Sequence, residues 1–541
     1  MNEPGFSKLF RNRWFICLLL ALVLAFNFAI RWRLRDMPLE RDEGEYAYAG
    51  QLILQGIPPY QLAYNMKLPG TYYTYALLMS LFGESAAGIH TGMILVTSLT
   101  VVLIFLIGRR LFTDTGGLLA AAIYVCLCSL PKAAGLAGHA TQFVSLFVCA
   151  GCFALLPAQK KNNYWWWFLS GIAFGLAILI SQQAVLFPAF ILAWFFLKQF
   201  RRRHWPQLSL VVLVFCGGCI LPFLLTAAGF ACAGVWHKFI FWTFVYGRRY
   251  AGLYPLGAAP EQFISGIDPV FESGPLVWFT GVAGMIFLLR QRTRRAPVEL
   301  AAVLFLGGLA ATCPGFFFRN HYFIMTMPGL ALLNAAFVLT VVRTLKKAGF
   351  TRSSVWLTLC LAVLLLGNLF DNNWGLWFDT TPIQIERLIY GNSPFPEAAP
   401  VADYLQEKMS PNDTVGILGS EPEVFFLSHR RSASGYIYIY SLTEPQPLAA
   451  QMRDEFIGQL ETARPKYILL VNVPSSWFTV VLAQSFQSVD AIQDWWENYS
   501  TNYTLAGAVK IHADQSQFLW DEQLSGHPDV TNDDLLIYRR K

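Results

Sequence analysis

The sequence predicts an α-helical polytopic membrane protein with about 11 transmembrane helices and a C-terminal soluble α/β domain. Of the 541 residues, 55% are hydrophobic and only 14% are charged. A soluble protein of this composition, with 44 Phe and 17 Trp, would aggregate. Apolar runs of about 20 residues, the length that crosses a bilayer, recur until about residue 370, whereas the tail lacks them.

Eleven segments have the length and hydropathy of membrane helices. They are 14–30, 88–108, 115–130, 140–157, 164–180, 183–197, 207–229, 274–289, 297–313, 321–342 and 353–370. Basic clusters fall at every second connection, which is typical of cytoplasmic loops. These clusters are Lys8/Arg11/Arg13, Arg109/Arg110, Lys160/Lys161, Lys198/Arg201/Arg202/Arg203, Arg290/Arg292/Arg294/Arg295 and Arg343/Lys346/Lys347/Arg352.

This charge pattern predicts a cytoplasmic N-terminus and, after an odd number of spans, an extracytoplasmic tail. Arg31, Arg33 and Arg35 oppose it, because they follow the first span on the outer side, but five later loops outweigh them. We therefore predict a transmembrane domain over 1–371, with long outer loops at 31–87 and 230–273, and an extracytoplasmic α/β domain over 372–541. The expected location is a bacterial inner (plasma) membrane.

In the tail, four segments have the pattern of β-strands, with helical pieces between them. These segments are "TVGILGS", "KYILLVNV", "YTLAGAVKI" and "DLLIYRR". Glu421 and Glu423 follow the first of them, where α/β domains often bind ligands, but a surface-exposed turn is the favoured interpretation.

The first outer loop has more than 50 residues, and loops of that length beside a helix bundle are usually functional. It contains "LERDEGEYAY" at positions 39–48, followed by a helical pattern that stops at Gly56, and a second short helix is predicted after Pro69. Acids are rare elsewhere in the membrane half, since no Asp or Glu occurs between Thr115 and Pro260. The acids of this loop, Asp42 above all, are therefore the first candidates for acid/base chemistry.

Residues of this loop and of later loops could together handle a sugar carried on a lipid phosphate. We expect Asp42 and Glu43 to be catalytic, because a carboxylate can accept the proton of an attacking hydroxyl or amine. Cationic groups would hold the phosphate, and aromatic rings would stack on the sugar. The expected substrate-binding residues are Lys67, Tyr46, Arg248, Arg249, Arg319, His321 and Tyr322.

Each of these assignments has a structural alternative. Asp42 could cap a helix, and Glu43 and Glu45 could complement the helix dipole. Lys67 could extend to the membrane interface, and Arg248 and Arg249 could bind lipid headgroups. His321 and Tyr322 could pack at a helix end. No metal ligand is assigned, because His139, His237 and His321 are scattered singly, and a divalent cation is left open as a cofactor.

The pattern "DEGEYAYAGQLILQGIPPY", with "KLPGTYY", "LFG" and then "IGRRLF" after the next span, resembles the lipid-dependent membrane glycosyltransferases of family 39 type, which have the GT-C fold. "RNHYFIMTMPGLALL" is similar to their later His-Tyr…Pro segment, so the resemblance covers roughly residues 1–345. It implies an inverting transferase with a polyprenyl-phosphate-sugar donor and an extracytoplasmic site. It also implies that Asp42 is the base.

Two positions depart from the family pattern. Relatives commonly have another acid in the second outer loop, where this chain has His139 and Gln142, and some have Lys where it has Gln182 and Gln183. The first departure weakens the case for a metal between two acidic loops. The second removes one phosphate-binding cation.

The sequence leaves the acceptor open as an envelope lipid, glycan or protein, and we expect a monomer that contacts membrane lipids and no nucleic acid. Two other functions compete: a transporter or flippase of lipid-linked sugar, and a non-catalytic binding subunit of an envelope complex. Transporters tend to have ionisable residues at mid-membrane depth, and the predicted spans carry almost none.

Overall fold

The computed structural model describes residues 12–161, 163–200, 205–290, 295–349, 353–477, 483–513, 515–527 and 530–541. The chain forms two compact units. Unit 1 comprises Met1–Arg35, His90–Ala228 and Tyr254–Thr380, and unit 2 comprises Asp36–Ile89, Gly229–Leu253 and Thr381–Lys541. The first outer loop is thus grouped with the tail, and the domain boundary between 371 and 372 stays a prediction.

Unit 1 is built from helices, and each of the eleven predicted membrane segments lies on one. Their bounds are Arg13–Arg33, Ala86–Leu111, Asp114–Cys128, Ala140–Lys161, Tyr164–Ile180, Leu186–Phe200, Trp205–Cys232, Pro275–Arg290, Arg295–Ala311, Met327–Lys347 and Ser353–Phe378, with a further helix at Ala259–Glu272. Short 3₁₀ segments at Gln182–Val185 and Asn320–Thr326 precede two of them.

In the described part of the chain, six helices are long and apolar enough to cross a membrane. They are Arg13–Arg33, Ala86–Leu111, Ala140–Ala158, Ser209–Cys232, Asn320–Lys347 and Trp356–Phe378, and four shorter apolar helices accompany them. The polytopic helical fold predicted from the sequence is confirmed. Of the basic clusters, Lys8, Arg11, Arg201–Arg203, Arg292, Arg294 and Arg352 lie outside the described residues.

The arginines that opposed the charge pattern have structural roles within unit 1. The Arg31 side chain is buried, and its Nη2 donates to the carbonyl oxygens of Cys128 and Gly135 at 2.8 Å each. The Arg33 guanidinium donates to the carbonyls of Trp377 and Thr380. These two cations therefore satisfy backbone carbonyls within unit 1.

In unit 2, the predicted loop helices are present as Arg41–Leu54, here called the acidic helix, and Gly70–Phe82. The acidic helix ends just before Gly56, whose φ of +80° suits glycine, as the sequence predicted. Two short helices, Trp236–Ile240 and Gly247–Tyr250, flank a π-helical turn at Phe241–Tyr246.

The aromatic residues of the segment 236–250 are divided between the interior and the surface of unit 2. Phe239, Trp242 and Tyr246 are buried, whereas Phe244 is 45% exposed. Trp242 stacks on Tyr64 with ring centroids 5.2 Å apart, and the Tyr246 hydroxyl donates to Glu444 at 2.7 Å. Three aromatic side chains of this segment therefore pack inside unit 2.

The C-terminal part of unit 2 is a mixed α/β fold with one six-stranded sheet. The strands are β1 (Thr414–Leu418), β2 (Arg431–Ser432), β3 (Tyr467–Val471), β4 (Tyr503–Lys510), β5 (Gln517–Trp520) and β6 (Leu535–Arg540), and their order in the sheet is β2-β1-β3-β6-β4-β5. β1 pairs in parallel with β2 and β3, with Val415 opposite Tyr467, and the other pairs are antiparallel. The helices are Pro382–Tyr390, Phe395–Lys408, Pro422–Ser428, Tyr440–Thr443, Ala449–Ala463, Pro474–Trp477 and Ala483–Tyr499.

Gly44 of the acidic helix lies against the backbone of the tail. A Cβ atom at this position would lie 2.6 Å from the Glu423 amide nitrogen and 2.8 Å from its Cα. Backbone atoms cannot move aside as a flexible side chain can, so we expect Gly44→Ala to lower the stability of unit 2 by about 1–3 kcal/mol. Thermal unfolding of the purified protein measures the loss.

Gly458→Ala is the matched control, because Gly458 lies in the tail helix Ala449–Ala463 and its added Cβ would meet nothing within 4 Å. This variant is expected to be as stable as the wild type or slightly more stable, since alanine favours helix. Equal unfolding temperatures for Gly44→Ala and Gly458→Ala would contradict the close packing.

Candidate active site

The first turn of the acidic helix is capped by Glu40, a residue that the sequence analysis did not single out. Its carboxylate accepts from the amides of Asp42 and Glu43 at 2.9 Å each. The alternative in which Asp42 is the cap is therefore wrong, because Asp42 lies inside the helix. The Asp42 carboxylate instead lies beside the Lys67 ammonium.

Asp42, Glu45 and Lys67 form the central cluster of unit 2. The Lys67 Nζ lies 2.7 Å from Asp42 Oδ1 and 2.6 Å from Glu45 Oε2. Asp42 and Glu45 are three residues apart on one helix, so both can reach the same ammonium. The Asp42 side chain is 26% exposed and Lys67 is 21% exposed, whereas Glu45 is 1% exposed. The first two groups are therefore open to a ligand, and Glu45 supports them from the interior.

Aromatic residues surround this cluster. The Tyr72 hydroxyl donates to Glu45 Oε1 at 2.5 Å, and the Lys67 ammonium lies 4.5 Å from the centre of the Tyr46 ring. Tyr46 is only 3% exposed, so its ring lies beside the Lys67 ammonium and has no exposed face on which a sugar could stack. Glu43 is buried at 1% exposure on the other side of the turn, where the Tyr75 hydroxyl lies 3.5 Å from its Oε1.

The electrostatics of the cluster keep Lys67 charged. Burial by itself lowers the pKa of Lys67, but the carboxylates of Asp42 and Glu45 raise it above the ordinary value. Burial raises the pKa of Glu45, and the Lys67 ammonium opposes that rise. Burial, followed by the charges of Asp42 and Glu43, raises the pKa of Glu40 well above its usual range. The Lys67 ammonium therefore keeps its charge across the physiological pH range.

Glu421 and Glu423 of the tail are buried at 1% and 0% exposure. The interpretation of this segment as a surface-exposed turn is therefore wrong. Glu421 accepts from Arg41 at 3.1 Å and from the Ser476 hydroxyl at 2.7 Å, so it ties the tail to the residue before Asp42. A buried acid of this kind could not be recognised in the sequence, because its partner Arg41 lies 380 positions away.

Burial raises the pKa of Glu423 well above the ordinary 4.5, and the charge of Glu421 adds to the rise. The folded carboxyl therefore keeps its proton at pH values where the unfolded one has lost it, and stability falls as pH rises from about 4.5 through the raised pKa. We expect the melting temperature of Glu423→Gln to fall less than that of the wild type between about pH 5 and pH 8.

Glu407→Gln is the control for that comparison, since the Glu407 side chain is 76% exposed. Its melting temperature should follow the wild-type pH dependence. Identical pH curves for Glu423→Gln and the wild type would show that Glu423 does not contribute.

The remaining predicted binding residues belong to other segments of the chain than the acidic helix. Arg248 and Arg249 are exposed in unit 2, in the short helix Gly247–Tyr250. Arg319, His321 and Tyr322 belong to unit 1, where Arg319 is exposed with its guanidinium 5.6 Å from the Phe317 ring centre. Their roles toward a substrate stay proposals.

The two residues that stand in place of the second-loop acid have structural contacts in unit 1. Gln142 donates to the carbonyls of Cys128 and Gly135, the same two that Arg31 binds. His139 stacks on His321, with ring centroids 4.0 Å apart and planes at 8°. These histidines are therefore paired in space, although the sequence presents them as scattered. In unit 2, Asp42 and Glu45 carry carboxylate oxygens, the kind of ligand that a divalent cation prefers. In this structure both carboxylates bind the Lys67 ammonium.

Comparison with known proteins adds relatives by sequence. Residues 67–225 match the profile of a family described as dolichyl-phosphate-mannose-protein mannosyltransferase. An undecaprenyl phosphate-alpha-4-amino-4-deoxy-L-arabinose arabinosyl transferase of Pseudomonas aeruginosa (strain UCBPP-PA14) is 29% identical over 285 residues, or 50% of each chain. The enzyme of the same name from Pseudomonas paraeruginosa is 31% identical over 227 residues, or 39% of this chain and 40% of that protein. The chain thus spans about half the length, or less, of these curated relatives.

Comparison of structures extends over nearly the whole chain. ArnT from Cupriavidus metallidurans, solved with bound undecaprenyl phosphate, has a TM-score of 0.58 at 15% identity, and the match covers 96% of this chain and 97% of ArnT. The oligosaccharyltransferase of Archaeoglobus fulgidus, tethered to an acceptor peptide, has a TM-score of 0.57 at 12% identity, covering 94% and 74%. Both likenesses concern the fold.

Proposed function

We propose that this chain, which has the GT-C fold and the sequence resemblance of the lipid-dependent membrane glycosyltransferases, is an inverting glycosyltransferase that uses a polyprenyl-phosphate-sugar donor. The observation that carries the proposal is the cluster in which Asp42 and Lys67, both partly exposed, meet over the buried Glu45. A base and a phosphate-binding cation within one hydrogen bond of each other suit the attack on a sugar phosphate.

The reaction needs one proton acceptor and one stabilised leaving group. Asp42 accepts the proton of the acceptor's hydroxyl or amine while the acceptor atom forms a bond to the anomeric carbon. The bond between that carbon and the phosphate oxygen breaks, and the lipid phosphate leaves with the electron pair, so the anomeric configuration inverts. Lys67 neutralises the charge that develops on the phosphate.

Lys67 is paired with Asp42 before the donor arrives, so donor binding exchanges a carboxylate for a phosphate at the ammonium. An incoming phosphate competes with Asp42 for the ammonium, and loss of the Lys67–Asp42 contact leaves Asp42 more basic and ready to accept a proton. Glu45 is buried and keeps its own contact with Lys67, so the cation stays in place during the exchange. Glu43, which is buried beside Tyr75, is assigned a supporting role only.

The relatives support the choice of donor. The Pseudomonas enzymes are named for undecaprenyl phosphate aminoarabinose, and ArnT was solved with undecaprenyl phosphate. Arg248, Arg249, Arg319, His321 and Tyr322 are proposed as further contacts of the phosphate or sugar. The proposed acceptor is an envelope lipid, glycan or protein, and the proposed location is a bacterial inner membrane, with a periplasmic tail and a monomeric chain.

The experiment incubates purified protein with a panel of polyprenyl-phosphate sugars and with candidate acceptors, and measures the free lipid phosphate released. The proposal expects acceptor-dependent release with at least one donor. Movement of the intact donor across proteoliposome membranes without release would instead support the transporter. Binding of donor with neither movement nor release would support the non-catalytic subunit.

A further inference from the structure

The aromatic repeat "YIYIY" at residues 436–440 of the tail places one side chain against the proposed base. The Tyr438 hydroxyl donates to the Arg41 carbonyl oxygen at 2.7 Å and lies 3.5 Å from Asp42 Oδ1. Tyr438 is 8% exposed, so its position is fixed by packing. The phenol thus contacts both the backbone before Asp42 and the carboxylate itself.

Other tail residues hold the same helix at neighbouring points. The Arg41 Nε donates to the Ser420 carbonyl at 2.5 Å, and the Ser432 amide donates to the Tyr48 hydroxyl at 2.9 Å. These bonds flank Asp42 on its own helix. The acidic helix is consequently oriented by the tail, and Tyr438 is the tail side chain that reaches the base.

Tyr438 also contributes to the surroundings of the cation. The Lys67 ammonium lies 5.9 Å from the Tyr438 ring centre, on the ring face that attracts cations. Burial, followed by the charges of Glu45 and Asp42, raises the pKa of Tyr438 well above its usual value. The phenol therefore stays protonated and remains a hydrogen-bond donor throughout the working pH range.

We propose that the C-terminal domain supplies Tyr438 as a positioning residue for Asp42: its hydroxyl fixes the backbone before Asp42 through the Arg41 carbonyl and lies beside the carboxylate. This inference rests on the proposed function for its consequence in turnover. It gives the tail a part in positioning the proposed base. A positioning residue affects the rate through the geometry and pKa of another group, here Asp42.

Tyr438→Phe removes the hydroxyl and keeps the ring. Loss of one hydrogen bond of this kind predicts a kcat lower by about 3- to 10-fold, with an unchanged KM for the donor. Because the polar hydroxyl beside the carboxylate is lost and only the apolar ring remains, the ionised form of Asp42 is less favoured, and the acid limb of the pH–rate profile should move to higher pH. Tyr440→Phe is the matched control, since the Tyr440 hydroxyl also donates to a backbone carbonyl, that of Ser475 at 2.6 Å.

A second measurement tests Asp42 without turnover. Carbodiimides modify protonated carboxyls, so the pH midpoint of Asp42 labelling, followed by mass spectrometry of the full-length protein, reports its pKa. The inference expects a higher midpoint in Tyr438→Phe than in the wild type and Tyr440→Phe. An unchanged midpoint would overturn it, even if the wild type released lipid phosphate. A shifted midpoint in a protein that releases none would uphold the contact and refute the proposed function.

Discussion

Replacement of Asp42 by Asn is expected to lower transfer by about 10²- to 10⁴-fold, the usual contribution of a positioned general base. Asn is the same size as Asp and can still accept a bond from Lys67 through its amide oxygen, but it cannot take up the acceptor's proton. Initial rates of lipid-phosphate release from the purified variant, at saturating donor, measure the loss.

Folding and donor binding must be intact for that result to count. Asp42→Asn should elute and melt like the wild type, because Asp42 is neither the helix cap nor fully buried. Glu84→Gln is the matched control: this acid lies in the same loop, 38% exposed, and contacts Gln51 and His429. It should retain wild-type turnover. Wild-type turnover by Asp42→Asn would refute the assignment of the base.

Replacement of Lys67 by Met is expected to cost about 10²- to 10³-fold in kcat, through the loss of the charge that stabilises the leaving phosphate. It should also lower the stability of unit 2 by about 3 kcal/mol, because Glu45 is 1% exposed and would lose its ion-pair partner. Turnover and melting temperature are measured on the same preparation.

The double variant Lys67→Met/Glu45→Gln separates these two effects. Removing the Glu45 charge as well leaves no unpaired buried ion, so most of the lost stability should return. Turnover should stay as low as in Lys67→Met, since the phosphate still lacks its cation. Recovery of turnover together with stability would show that Lys67 acts only on folding.

The sequence predicts the membrane fold well because its signals are local. Apolar runs of membrane length, basic clusters and strand patterns depend on neighbours in the chain, and all eleven helical segments and four of the six strands follow from them. The strands that sequence patterns missed are β2, with two residues, and β5, "QFLW", with four. Strands this short have too few positions to show an alternating pattern.

The site could be predicted only in part because its contacts are distant in sequence. Asp42 and Lys67 are suggested by the loop motif, but nothing near Glu40 indicates that it, and not Asp42, caps the helix. The burial of Glu421 depends on Arg41, and the role of Tyr438 depends on Asp42, nearly 400 positions earlier. Gly44 shows the same limit, since only the structure reveals the tail backbone against it.

The most direct test of the account is a structure of the full-length protein with bound polyprenyl phosphate. We expect the phosphate within hydrogen-bonding distance of the Lys67 ammonium, with Asp42 beside it and the Lys67–Asp42 contact of 2.7 Å lengthened or broken. A phosphate bound elsewhere, with that ion pair unchanged, would contradict the central claim that these two residues form the donor site.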